Sequence, residues 1–200
     1  MKLGSIVLFA AAVLIGMSPA VSGPLHDAVK DSDLVRLQEL IEAGEDLNAQ
    51  DNFVGTALHW VALKNDIEAA RLLIAAGADV NLPRIRDTET ANKQGITPLM
   101  NAASVDAVDM IDLFVAEGAD IDAKRGSGLT ALHIAVYSGS TGAVRKLVAL
   151  GIDLNGAPDT EPVAFATPLA ETIYHGQIGK LKPDVADEIA TILREAGASE

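Results

Sequence analysis

The chain contains no cysteine, so no disulfide framework holds its fold, no thiol serves as nucleophile or lipid attachment point, and thiol oxidation cannot switch it. The core carries the stability alone. Basic residues are few: 15 Lys and Arg stand against 28 Asp and Glu, a formal net charge of -13 over 200 residues. Such an excess repels phosphate backbones and anionic headgroups, which argues against nucleic acid as a partner. Motifs of bond-making chemistry are missing as well. There is no HExxH spacing, no paired cysteine and no Asp-rich calcium loop with its fixed Gly and distal Glu, so neither a metal nor another cofactor is expected. Nor is there a G-x-S-x-G elbow or a G-x-x-x-x-G-K phosphate loop. Catalysis is not expected, and a hydrolase with an unrecognised site stands last among the readings.

Long apolar runs are confined to the beginning, "MKLGSIVLFAAAVLIGMSPAVSG", where Ile6 to about Met17 is apolar. One Lys precedes the run and the small residues Ala20 and Ser22 follow it, the form of a secretory signal cleaved near Ser22/Gly23. An uncleaved anchor is the rival, but the run is shorter than the roughly 20 residues a spanning helix needs. The expectation is a signal peptide over 1–22, a periplasmic or secreted mature protein, and no stable membrane insertion after cleavage.

What is present is a repeat. Leu25, Leu58, Leu99, Leu132 and Leu169 anchor five similar blocks, and a glycine follows 19 residues after each of the first four, at Gly44, Gly77, Gly118 and Gly151. The fifth block reaches Gly197 after 28 residues. The second block, "TALHWVALKNDIEAARLLIAAGADVN", shows the physics. Ile67, Ala70, Leu73 and Ile74 recur at the 3 and 4 spacing of a helix with one buried face. The segment before it is a short helix, opened by a capping Thr and closed by the turn-prone Asn65 and Asp66. Gly77 stops the second helix at a position that favours positive φ. A lone helical hairpin cannot cover its apolar stripe, so neighbouring blocks must stack.

The third and fourth blocks read "TPLMNAASVDAVDMIDLFVAEGADID" and "TALHIAVYSGSTGAVRKLVALGIDLN". Together the blocks resemble the ankyrin repeat, with its TPLH opening and GADVN close. The resemblance implies an all-α ankyrin-repeat solenoid of about five helix-turn-helix repeats with finger loops, at approximately 23–50, 51–83, 92–124, 125–157 and 162–200. Arg194 fills the register of Ile41, Ile74, Val115 and Val148, where a charge suits only the end of a stack. Three stretches lengthen the period: "LPRIRDTETANKQ" over 82–94, "GAPDTEPVAFA" before the fifth block, and "QIGKLKPDV" between its helices. Insertions of this kind are expected to project as loops from one face.

His26, His59 and His133 share the fourth position of the TPLH motif, and the resemblance implies that they are structural. Met100 and Ala170 replace that His in the third and fifth blocks. Trp60, beside His59, is expected to be half-buried. His175, in "YHGQ", is out of register and is expected on the surface, where it could titrate or meet a partner. Asp79, Asp120 and Asp153 recur with the period and are expected to be solvated finger residues.

The resemblance further implies a binding face made by the finger loops and the inner side of the short helices. Its register takes in Asn52, Phe53, Leu63 and Lys64, then Lys93, Gln94, Ile96 and Val105, then Leu129 and Tyr137, then Tyr174 and His175. Phe53, Leu63, Leu129, Tyr137 and Tyr174 would form an exposed apolar contact patch, unless the insertions fold back over them. Arg84, Arg86, Lys93, Lys124 and Arg125 fall in two successive fingers and would steer a partner with an acidic surface. The expected function is an exported protein-binding module for an envelope protein; the alternative is a dedicated inhibitor or immunity-type protein that blocks an envelope enzyme with the 82–94 loop.

Overall fold

The structure, a computed structural model, describes residues 23–51, 54–84, 95–126, 128–156 and 167–199. The expected signal segment, 1–22, lies outside the described residues. Ten helices and no strand occur among them. They run as short first helices α1 (Pro24–Lys30), α3 (Ala57–Lys64), α5 (Pro98–Ser104), α7 (Ala131–Ser138) and α9 (Pro168–Gln177). Each is followed by a partner: α2 (Leu34–Glu42), α4 (Ile67–Ala75), α6 (Val108–Ala116), α8 (Thr141–Ala149) and α10 (Pro183–Glu195). Each helix packs on its hairpin partner and on the equivalent helix of the next pair, so the odd and the even helices form two stacked rows.

Local chemistry sets the hairpins. Thr97 and Thr167 cap α5 and α9 by accepting the N–H of Met100 and Ala170. The turn within four successive pairs places Ser32, Asn65, Asp106 or Gly139 at positive φ, between 53° and 70°, the left-handed conformation that small polar residues and glycine tolerate. Gly77 ends α4 at φ +98°, with open space where a Cβ would stand. Along α4, Ala70 and Leu73 are fully buried, while Ile67 and Ile74 pack against the core from partly buried positions. One apolar core therefore runs the length of the stack, through Leu37, Leu58, Leu73, Leu99, Phe114, Leu132, Leu147, Leu169 and Ile189.

The period residues Asp79, Asp120 and Asp153 are exposed, but they are not merely solvated. Each accepts the N–H two residues on, at Asn81, Asp122 and Asn155. The residue so placed, like Asn48, whose N–H Asp46 accepts in the same way, then accepts an N–H of the following pair: Asn48 from Asp79, Asn81 from Asp120, Asp122 from Asp153, and Asn155 from Ser199. A side-chain ladder thus stitches successive pairs along the edge of the stack.

The fifth pair corrects one expectation. "QIGKLKPDV" does not project as a loop; it lengthens both helices, so that α9 has 10 residues and α10 has 13, with only 178–182 between them. Gly176, where the other pairs turn, stays helical, and the positive φ falls at Gly179, at +70°. Pro183 then opens α10 at a position where its missing N–H costs nothing. A Cβ on Gly176 would stand 2.9 Å from that of Ala186, so the glycine permits the two long helices to touch. Arg194 is exposed.

Candidate protein-binding face

The TPLH histidines are built into the junctions. Thr56 places its N–H and its hydroxyl 3.2 and 2.9 Å from His59 Nδ1, which accepts. The proton therefore sits on Nε2, which donates to the Ile96 carbonyl at 2.8 Å. Burial pushes the His59 pKa down to about 4; the Ile96 bond opposes this and nearby Arg84 adds to it. His133 meets Thr130 in the same way, and burial followed by Lys124 lowers it to about 4. His26 Nε2 donates to the Gly55 carbonyl at 2.9 Å.

Trp60 is half-buried, and its Nε1 donates to Asp51 Oδ2 at 2.8 Å. Asp51, 6% exposed, uses Oδ1 to accept the N–H of Val54 and of Gly55. Lys30 lies 3.9 Å from the same carboxylate and over the Trp60 ring. This buried hub holds the second finger at its root.

On the inner side, exposed apolar side chains occur at the ends of three successive first helices: Val105 after α5 at 43% exposure, Tyr137 on α7 at 54% and Tyr174 on α9 at 39%. Ile178, just past α9, is exposed too. These four residues make the apolar part of the candidate face.

The residue pattern and the match with known proteins agree. A family model described as ankyrin repeats (3 copies) matches residues 25–125 and 82–157. The chain belongs to the ankyrin-repeat family. It is 36% identical over 103 residues to the B-cell lymphoma 3 protein homolog of Mus musculus, which covers 51% of this chain and 21% of that protein. It is 36% identical over 178 residues to the nuclear factor NF-kappa-B p105 subunit of Gallus gallus, covering 88% of this chain and 16% of that one. With the neurogenic locus notch homolog protein 2 of Homo sapiens it shares 31% over 150 residues, 74% of this chain and 6% of the other. The chain therefore spans about a fifth or less of the length of these relatives. Ankyrin repeats are generally protein–protein interaction modules.

Within this ankyrin frame several expected contact residues are placed differently. Asn52, Phe53, Arg86, Lys93 and Gln94 lie outside the described residues. Leu63 and Leu129 are half-buried rather than solvent-facing; Leu129 is drawn into a turn in which its carbonyl accepts the Arg125 N–H. Ile96 packs against the core, and its backbone pairs with Arg84 in an isolated antiparallel bridge. Arg84, Lys124 and Arg125 are half-buried, and two of them act electrostatically on the TPLH histidines. Lys64 is exposed, but its ammonium donates to the carbonyls of Val29 and Lys30 and to the Ser32 hydroxyl, closing the end of α1.

His175 is not a surface residue. It is 5% exposed, with its ring edge-on to Tyr137 at 5.4 Å and tilted against Tyr174. Burial, and then Lys180, lower its pKa. The cause is the rearranged turn: the His175 carbonyl accepts the N–H of both Lys180 and Leu181, folding 178–182 back so that Lys180 lies over the Tyr137 ring. The insertion thus covers part of the face. Sequence reasoning did not single out Asp51 or Glu171. Asp51 stands four residues before Gly55 and could have been suspected from that spacing; Glu171, buried in the register of Trp60, Asn101 and Ile134, gave no signal beyond its odd charge.

Proposed function

We propose that this ankyrin chain is an exported module that captures another protein of the cell envelope on its concave face, without chemistry of its own. The carrying observation is the row Val105, Tyr137, Tyr174, exposed at the ends of three successive first helices. Exposed apolar residues on successive pairs are costly to leave in water, and tyrosine is favoured as an interface anchor. Charge contributes less than the sequence suggests, because the basic side chains among the described residues of the fingers are half-buried. The acidic excess still argues against nucleic acid. Export rests on the form of residues 1–22.

Tyr137→Ala and Tyr174→Ala should weaken partner capture about tenfold or more each, measured on protein that circular dichroism shows to be folded. Undiminished capture by the double variant would sink the proposal.

A dedicated inhibitor is the second reading. It is favoured by the closed stem beneath the 82–94 insertion, where Arg84 and Ile96 pair and their N–H and carbonyl meet at 2.8 Å. Replacing 85–94 by a short finger should abolish capture on this reading and spare it on the first.

A further inference from the structure

Helix α9 buries a carboxyl group at the position where α3, α5 and α7 carry Trp60, Asn101 and Ile134 and where Asp27 of α1 is only partly buried. Glu171 is 6% exposed, and its Oε2 has no hydrogen-bond partner. In the repeat register it stands where Asn101 stands in α5, and Asn101 Nδ2 donates to the His59 carbonyl of the preceding pair at 3.3 Å. An amide has a proton to give there at any pH. A carboxyl group has one only when neutral.

Titratable groups stand on α9 itself and on the elements packed against it. On α9, His175 lies one turn further along the same side, with Tyr174 beside it. From α7 comes Tyr137, while His133 on that helix is engaged with Thr130. On the far side of α9, Asp187 and Arg194 of α10 line a groove with Thr172 and Gly176. The connection between α9 and α10 supplies Lys180, which acts on both Glu171 and His175 and lies over the Tyr137 ring. Lys180 is therefore shared between a buried acid and an exposed aromatic face.

We propose that Glu171 is a proton-controlled latch between α7 and the last helix pair: neutral, it lets the pair dock with Lys180 over Tyr137; ionised, it draws Lys180 off the ring and loosens the pair. The latch operates whether or not the concave face binds a protein. Burial raises the Glu171 pKa from 4.5 to about 7, with Lys180 opposing. The docked pair thus holds a proton that the undocked pair has released, and docking weakens as pH rises through that window, by up to about tenfold per pH unit. Above the docked value it levels off.

The test is NMR on the full chain, following the Tyr137 ring signals and the exchange protection of the α9 and α10 amides, from about pH 5 to about pH 8.5 around the Glu171 value of about 7. The Tyr137 signals should move with a midpoint near 7. Protection in Glu171→Gln relative to the parent at the same pH should grow up to that midpoint and then stay level, a ratio that cancels other titrating groups. Tyr137 signals that do not move, or that move equally in Glu171→Gln, overturn the proposal. So does a midpoint below 6.5 that vanishes in His175→Gln, which would assign the step to the imidazole. Should Glu171→Gln fail to fold, Lys180→Met decides: loss of the cation should move the amide transition to higher pH, and an unmoved transition overturns the latch.

Discussion

The Nε2 of His59 lies 2.8 Å from the Ile96 carbonyl oxygen, and the Arg84 N–H reaches the same oxygen at 2.8 Å. One carbonyl therefore joins the second helix pair, the third pair and the stem of the 82–94 insertion. Removing the imidazole leaves the Thr56 N–H without its acceptor in a buried site. His59→Ala should cost about 3 kcal/mol, read as the shift of the urea unfolding midpoint. A loss as small as that of an exposed substitution would mean the junction is held otherwise.

The same histidines set an acid limit. His59 and His133 are lowered from 6.5 to about 4, so the unfolded chain takes up protons before the folded one as pH falls. Their contribution is complete above about 6.5 and is lost progressively between 6.5 and about 4. The melting temperature of His133→Gln should depend less steeply on pH across that window than the parent's. Equal slopes would contradict a buried neutral imidazole.

Two glycines separate backbone strain from steric exclusion. Gly77→Ala meets open space and only a positive φ of +98°, and should cost about 1 kcal/mol. At Gly95 a Cβ would stand within 1.7 Å of the Arg84 carbonyl oxygen, so Gly95→Ala forces the bridge apart. Chemical denaturation should show the larger loss at Gly95, and the reverse order would contradict the stem geometry.

The edge ladder predicts an effect that an exposed residue would not otherwise have. Asn81 accepts the Asp120 N–H at 2.8 Å and donates to the Gly118 carbonyl at 2.9 Å. Asn81→Ala should cost about 1–2 kcal/mol, against near zero for Glu68→Ala on the exposed side of α4. Thermal unfolding of the two variants compares them directly.

The helices were legible because the blocks repeat local signals that act alone: a capping Thr, a turn residue such as Asn65, and a glycine such as Gly77. The histidine register was legible for the same reason. The fifth pair was not, because its turn glycine, Gly176, is used for helix contact and a second glycine, Gly179, takes over the turn. His175 was misplaced with it, since its burial depends on Leu181 and Lys180 folding back on its carbonyl. Lys64 read as a contact residue, and only the fold brings it to the end of α1. In each of these cases the missing information was a contact between pairs, which no single block contains.

On the proposed function, the inner side where Val105, Tyr137 and Tyr174 are exposed is where a partner sits. A photo-crosslinking residue placed at Tyr137, compared with one at Glu188 on α10, where Glu188 pairs with Arg145 of α8 in the even-helix row, tests it in the cells that make the protein. One discrete adduct is expected from position 137 and none from 188. No adduct at 137, or the same adduct from both, would contradict it.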